Sequence, residues 1–428
     1  MPRQQFSSSL AAILTMAGAA IGLGNIWRFP YMMGSYGGSA FLLIYLLFVL
    51  LIAVPALTGE WALGRRSRGG TITAFADCYG PRSGRVLGYI LVLGMLCSGS
   101  YYLVVIGNVA LMTWTSFATG FTGEHQQAFV QQLDHGPTRY LLALAVLAGI
   151  LWVAYRGLHE GIERVSKLFV PFFFLVIIYL TFQTLSLEGA PEKMRLFLTP
   201  DFSQITPTSV FAALGQAVFS VGLGGTIMVI YGSYLSRGAS LWRGAIATAT
   251  ADTSAALLAA MFIFPTILVY GISPAAGPTL LFESLSQLFA QMENGRMVGS
   301  FFLLALLLVA FLSGLAALEV VFGSISDDET THGLNRKRTI IVFGVVEALI
   351  MIIPGFNPGA VAVMDLLFGS GMLALGSALA IIGLTWRLKQ VAVVSEFGAS
   401  TLTDFLFIWL KWVVPVVILA ILIISYIH

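Results

Sequence analysis

The sequence predicts an all-α polytopic membrane protein with eleven transmembrane helices, and three observations carry that prediction. Of the 428 residues, 58% are apolar and only 10% are charged, and the mean hydropathy is +0.90, a composition that does not describe a water-soluble domain. Apolar stretches of about 20 residues, the length a helix needs to cross the hydrocarbon core, recur at approximately 8-33, 38-63, 86-118, 138-155, 163-186, 208-235, 243-271, 297-325, 338-354, 359-386 and 403-426. The first and the sixth are interrupted in the middle by the same device, Ile21-Gly22-Leu23-Gly24 and Val221-Gly222-Leu223-Gly224.

Eleven spans put the termini on opposite sides, and the basic residues choose the sides, because cytoplasmic loops retain Lys and Arg. With the N-terminus inside, one set of loops and ends holds Arg3, Arg65, Arg66, Arg68, Arg82, Arg85, Arg156, Arg164, Lys167, Arg237, Arg243, Arg336, Lys337, Arg338, Arg387 and Lys389. The opposite set holds only Arg139, Lys193, Arg195 and Arg296. The expectation is a multi-pass protein of the inner (cytoplasmic) cell membrane, N-terminus cytoplasmic and C-terminus external. The net charge of +2 carries no nucleic-acid signal. Cys78 and Cys97 fall in or near membrane or cytoplasmic positions, which supports neither a disulfide framework nor a metal cluster. The first apolar stretch is too long for a cleavable signal and runs into the break at Gly22.

The first helix reads from Thr15 through Ala20 to the break, then Asn25-Ile26-Trp27-Arg28-Phe29-Pro30. Glycine costs about 1 kcal/mol against alanine inside a helix, and a freed backbone group in lipid costs more unless something polar meets it. A mid-membrane break therefore points to a buried polar ligand; close helix packing through small residues is the structural alternative. Carbonyls freed before the break suit cations, and N–H groups freed after it suit anions. Asn25 adds a side-chain carbonyl, and Arg28 a fixed positive charge that either snorkels to the interface or serves a buried site. Two broken helices at matching places in two halves of a chain point to the binding site of a secondary transporter, a rule drawn partly from the family named below.

In the second helix, Glu60 would be costly facing lipid; capping freed N–H groups inside the bundle is the favoured role, proton carriage the alternative. The third carries Ser98-Gly99-Ser100-Tyr101-Tyr102, where one phenol could donate to a carboxylate or simply pack with a bonded hydroxyl. Gly161 and Pro171 bracket the start of the fifth, where proline opens the preceding turn; this marks either a water path or an ordinary kink.

The sixth helix repeats the device of the first, from Gly215-Gln216 through Phe219-Ser220 to Gly224-Gly225-Thr226. Asp252 lies in the seventh, Ser313 and Glu319 in the eighth, Glu347 in the ninth and Asp365 in the tenth. A lone carboxylate at the bilayer centre costs at least ~2.5 kcal/mol, so each should face the interior with a partner. Arg28 and Asp365 are the natural opposite pair. No metal-ligand spacing, catalytic triad or phosphate loop accompanies these groups, which argues against an enzyme or a nucleotide fold.

These residues resemble one family over nearly the whole chain: the neurotransmitter:sodium symporters, in particular bacterial amino-acid transporters similar to the leucine transporter. The likeness is carried by Ala17-Gly18, Asn25-Ile26-Trp27-Arg28-Phe29-Pro30, Gly37-Gly38, Glu60-Trp61-Ala62-Leu63-Gly64-Arg65, Gly161-Ile162-Glu163-Arg164, Gly215-Gln216 and Met364-Asp365. It implies two inverted repeats, 1-187 (helices 1-5) and 188-390 (helices 6-10), followed by helix 11 in 391-428. It also implies a single substrate site beside the two breaks.

Carried onto this chain, the resemblance places a substrate carboxylate on the N–H groups of Leu23 and Gly24, the Tyr102 hydroxyl and a sodium ion. The amine would meet carbonyls of Ala20, Phe219, Ser220 and Gly222. The first sodium site would use Ala20, Asn25, Ser220 and Asp252. Asp252 stands where the leucine transporter is expected to have Asn, and Ala256 where it has Glu, so Asp252 supplies the charge and chloride is not required. The second sodium site would use carbonyls of Gly18, Ile21 and Val309 and the Ser313 hydroxyl, with Leu312 in place of a threonine ligand. A rival register would set Ala316 and Ala317 at the hydroxyl positions; the first is preferred because it brings Asp327 opposite Arg3. Ser98, Gly222, Gly225 and Ala317 stand where bulkier residues are expected, which implies a large side-chain pocket.

The implied activity is sodium-coupled symport of an amino acid, large hydrophobic or aromatic, by alternating access and without chloride. Arg28, Asp365, Tyr102 and Phe219 would close the outside, Arg3 and Asp327 the inside. Na+, the amino acid and the lipid bilayer are the expected partners. A proton-coupled transporter using Glu60, Asp252 or Glu319, and a non-transporting amino-acid receptor, are the alternatives.

Overall fold

The computed structural model describes residues 4–272, 280–328 and 335–427. Among them every regular element is a helix. Ser8 opens α1 (Ser9–Ala20) by accepting from the Ala11 N–H at 3.1 Å, an ordinary serine cap. The chain then runs extended at Ile21 and Gly22, and α2 (Leu23–Ser35) leaves at 68° to α1. There follow α3 (Ser39–Ser67), the short α4 (Thr71–Tyr79), α5 (Ser83–Ala118), α6 (Gly136–Tyr155), α7 (Leu158–Leu185) and the short α8 (Ala190–Leu198).

The second half begins with α9 (Pro207–Ser220), where Thr206 and Ser209 form a reciprocal capping box and Pro207 sits in the first turn. After the second break come α10 (Ile227–Ser233), α11 (Leu241–Val269), α12 (Gly295–Asp327), α13 (Arg336–Phe356), α14 (Pro358–Arg387) and α15 (Thr401–Ile423). Among the described residues nine of these helices are long and apolar enough to cross a membrane, and the bent pair α1 and α2 makes a tenth. The sixth expected span, 208–235, has no single helix: it is α9 and α10 with Val221–Thr226 between them.

The two breaks need glycine for different reasons. Gly222 and Gly225 adopt φ of +72° and +65°, a region that side chains disfavour. Gly22 is extended, and its constraint is space: a β-carbon there would lie 2.9 Å from the Tyr102 hydroxyl.

Packing sets both breaks at the centre. α5 runs along α12, α10 lies on α3, and α1 is held by α7, α11 and α12. α7 continues through Pro171 without interruption. Its wider first turn, 158–163, lets Gly161 meet the Val153 carbonyl so closely that a β-carbon would lie 2.1 Å from it. Of the helix carboxylates, Glu347 departs from the expectation of a partner. It is fully buried against Gly99, and neither of its oxygens has a hydrogen-bond partner among the described residues.

Candidate functional site

The site is built from the two breaks and the helices that enclose them. At the first break Tyr102, from α5, accepts from the freed Leu23 N–H at 3.5 Å, and Asn25 Oδ1 accepts from the Gly22 N–H at 3.0 Å. At the second, Glu60 of α3 accepts from the Gly224 N–H at 3.0 Å and is itself fully buried. Glu60 thus takes the capping role.

Between the breaks lies a carboxylate with a convergent shell. Asp252 of α11 is completely buried. Its Oδ1 accepts from Asn25 Nδ2 at 2.8 Å, and its Oδ2 from the Ser220 hydroxyl at 2.6 Å. Asn25 Nδ2 also lies 3.2 Å from the Asp252 carbonyl oxygen and 3.3 Å from Ser220 Oγ. A carboxylate with hydroxyl and backbone carbonyl oxygens beside it is donor chemistry that a hard alkali cation takes; the Asn25 amide here turns its nitrogen to Asp252 and its oxygen to the Gly22 N–H.

Next to this cluster is a cavity whose wall includes Ala20, Leu23, Gly24, Ser98, Tyr102, Phe219, Ser220, Gly222, Ser313 and Ala317, all expected from the resemblance. Gly225 does not line it. It backs onto α14, where a β-carbon would come within 2.3 Å of the Gly376 carbonyl oxygen. The missing bulk at Gly225 therefore accommodates a helix and adds nothing to the cavity. Met95, Tyr101, Ile227, Gly369 and Leu373 line it instead. Tyr101 is the member of this group with a sequence signal, as the other phenol in the pair.

At one edge of the cavity the expected opposite pair does not meet. The Arg28 guanidinium lies over the Phe219 ring, 5.0 Å from its centroid, while Asp365 Oδ1 accepts from the Tyr101 hydroxyl at 2.7 Å. Each charge holds another partner. Toward the N-terminal face, Arg3 lies outside the described residues, and Asp327 ends α12. A buried polar cluster stands there instead, which the sequence alone does not bring together. Buried Glu319 accepts from Arg336 through both oxygens, at 2.8 and 2.7 Å, and from the Tyr234 hydroxyl at 2.5 Å. Phe6 lies edge-on to Tyr231 and Tyr234, with ring centroids at 6.3 and 5.9 Å. The demand of Glu319 for a cation is the sequence signal for this cluster, while Arg336 stands among the loop charges that set the topology.

The Ser313 hydroxyl lies 3.1 Å from the Ala19 carbonyl oxygen and 3.0 Å from that of Ile21, and Leu312 packs on Gly18. Ser313 and Leu312, the residues named in the preferred register, thus stand beside the first break.

Comparison with known proteins gives the family. The model of the sodium:neurotransmitter symporter family matches residues 3–131 and 121–428. The chain is 36% identical over 346 residues to the uncharacterized sodium-dependent transporter YhdH of Bacillus subtilis, covering 79% of this chain and 76% of that protein. An uncharacterized sodium-dependent transporter of Haemophilus influenzae is 32% identical over 340 residues, 76% of this chain and 74% of its own. Among solved structures, the crystal structure of MhsT in complex with L-phenylalanine superposes with a TM-score of 0.86 at 29% identity, covering 99% of both chains. The chain belongs to the sodium:neurotransmitter symporter family.

Proposed function

We propose that this member of the family is a sodium-coupled importer of amino acids, large hydrophobic or aromatic ones, working by alternating access without chloride. The observation that carries the reading is the adjacency of the Asp252 cluster to a cavity lined both by polar groups and by apolar side chains. The Leu23 and Gly24 N–H groups and the Tyr102 hydroxyl suit a substrate carboxylate. The carbonyls of Ala20, Phe219, Ser220 and Gly222 suit its amine. One sodium ion, held by Asn25, Ser220, Asp252 and the Ala20 carbonyl, would complete the carboxylate's shell, which couples ion and substrate. Because Asp252 brings its own charge, no chloride is needed to balance the ion.

Met95, Phe219, Ile227 and Leu373 give the cavity its apolar lining, and Ser98, Gly222 and Ala317 leave it room. Each methylene buried there is worth about 0.8 kcal/mol, which favours side chains that fill it. L-Phenylalanine in MhsT is a ligand of this class. In the cell the chain would sit in the inner membrane with its N-terminus cytoplasmic, and a bundle of the first, second, sixth and seventh spans, two from each repeat (1-187 and 188-390), would move against the remaining helices. Uptake of labelled amino acids into proteoliposomes tests the reading. A sodium gradient should drive it with gluconate replacing chloride, and a pH gradient without sodium should not. Accumulation driven by protons alone, or binding without counterflow, would refute it.

A further inference from the structure

The family resemblance implies a second sodium ion beside Gly18, Ile21, Val309 and Ser313, and the residues present do not fit one. Where a threonine hydroxyl is expected stands Leu312, buried, with its Cδ1 2.7 Å from the position a β-carbon would take on Gly18. Val170 Cγ2, from α7, lies 3.1 Å from the same point. Gly18 is thus closed in by two aliphatic side chains where its own side chain would stand, and Leu312 brings a methyl group to this part of α1 where a threonine would bring a hydroxyl. One hydroxyl remains: Ser313 turns its proton toward the carbonyls of Ala19 and Ile21, at 3.1 and 3.0 Å, and keeps its lone pairs as the one side-chain ligand left there. The Ile21 carbonyl, one of the expected ligands, therefore has a protein partner. A hard cation replaces its water with oxygens, and setting one against leucine and valine methyl groups leaves part of its surface without any.

We infer that the chain moves one sodium ion per cycle, at the Asp252 cluster, and that Leu312 stands permanently in the place of the second ion. The leucine also does mechanical work there: with Ser313 it fastens the end of α1 to α12, a link that does not depend on ion occupancy. This inference rests on the proposed sodium coupling but can fail separately from it.

The test is equilibrium binding of radioactive sodium to the purified full chain in lipid nanodiscs, with substrate saturating. The expected result is one ion per chain with a Hill coefficient of one; two ions per chain would overturn the inference. No sodium binding at all would overturn the proposed coupling as well. In Leu312→Thr, with folding checked by retained substrate binding, the count should rise to two. A count of one in that folded variant would overturn the assignment of the block to Leu312. Asp252→Ala should lower the wild-type count to zero, which separates the two positions.

Discussion

Gly225 and Gly376 meet backbone to backbone. A β-carbon on the first would lie 2.3 Å from the carbonyl oxygen of the second, and a β-carbon on Gly376 would lie 2.2 Å from the Gly224 carbonyl oxygen. The break between α9 and α10 is thereby pressed onto α14, with Gly225 at a positive φ that adds to the constraint.

The first prediction follows from that contact. Gly225→Phe, which the resemblance alone would use to shrink the pocket, should instead destabilise the protein by more than the ~1–3 kcal/mol typical of overpacking, because the obstructing atoms are backbone. Ser98→Val, on the cavity wall, should fold and shift preference toward smaller side chains. Thermal unfolding in detergent and competition binding with Trp, Phe, Leu and Ala check both. A stable Gly225→Phe with altered selectivity would contradict the geometry.

A second prediction concerns the charge at the ion site. Asp252→Ala and Asn25→Ala should each abolish sodium-dependent substrate binding. Asp252→Asn keeps an oxygen and removes the charge, so uptake should fall at least tenfold, about 1.4 kcal/mol or more, and regain activity when chloride is supplied. Uptake by Asp252→Asn at the wild-type rate in chloride-free buffer would show that the charge is dispensable.

The latch at the N-terminal face gives a third. Glu319 is fully buried and bound by Arg336 and Tyr234, so Arg336→Ala leaves an unpaired buried carboxylate. Breaking such a pair costs about 3–5 kcal/mol. Tyr234→Phe removes one hydrogen bond, closer to 1 kcal/mol. Both changes should favour the state open at that face, Arg336→Ala more. Thiol labelling of a cysteine introduced at Tyr231 in a cysteine-free background should rise in that order; equal labelling in all three proteins would remove Glu319 from the closure.

How far the sequence led is clearest at the two breaks. Glycines inside apolar segments mark the two breaks, and the resemblance, not the spacing, groups Asn25, Ser220 and Asp252, which the fold brings within hydrogen-bond reach of one another. The apolar lining was harder to read. Met95, Ile227 and Leu373 are ordinary residues of helices that are apolar on several faces, so no periodicity marks the face that lines a cavity. Gly225 misled because the direction of a positive-φ turn depends on what packs behind it, here Gly376. Arg336 was hidden for a different reason: a cation near a helix start counts toward topology, and only the packing of α13 beside α12 turns it to Glu319.

The last prediction concerns Arg28 and Asp365, which lie beside the cavity but hold other partners. Arg28 rests over the Phe219 ring, a cation–π contact worth about 0.5–2 kcal/mol, and Asp365 holds the Tyr101 hydroxyl. Closure over a bound substrate would bring the two charges together, and the gain on pairing must exceed the loss of those contacts. Asp365→Asn preserves an acceptor for Tyr101 but removes the attraction for Arg28. It should leave the association rate of substrate near wild type, raise the dissociation rate several-fold and lower the maximal uptake rate. Phe219→Ala frees Arg28 but also strips an apolar wall, so its effect should fall on affinity. Stopped-flow binding with proteoliposome uptake separates the two variants, and a wild-type dissociation rate in Asp365→Asn would mean that the pair never forms during transport.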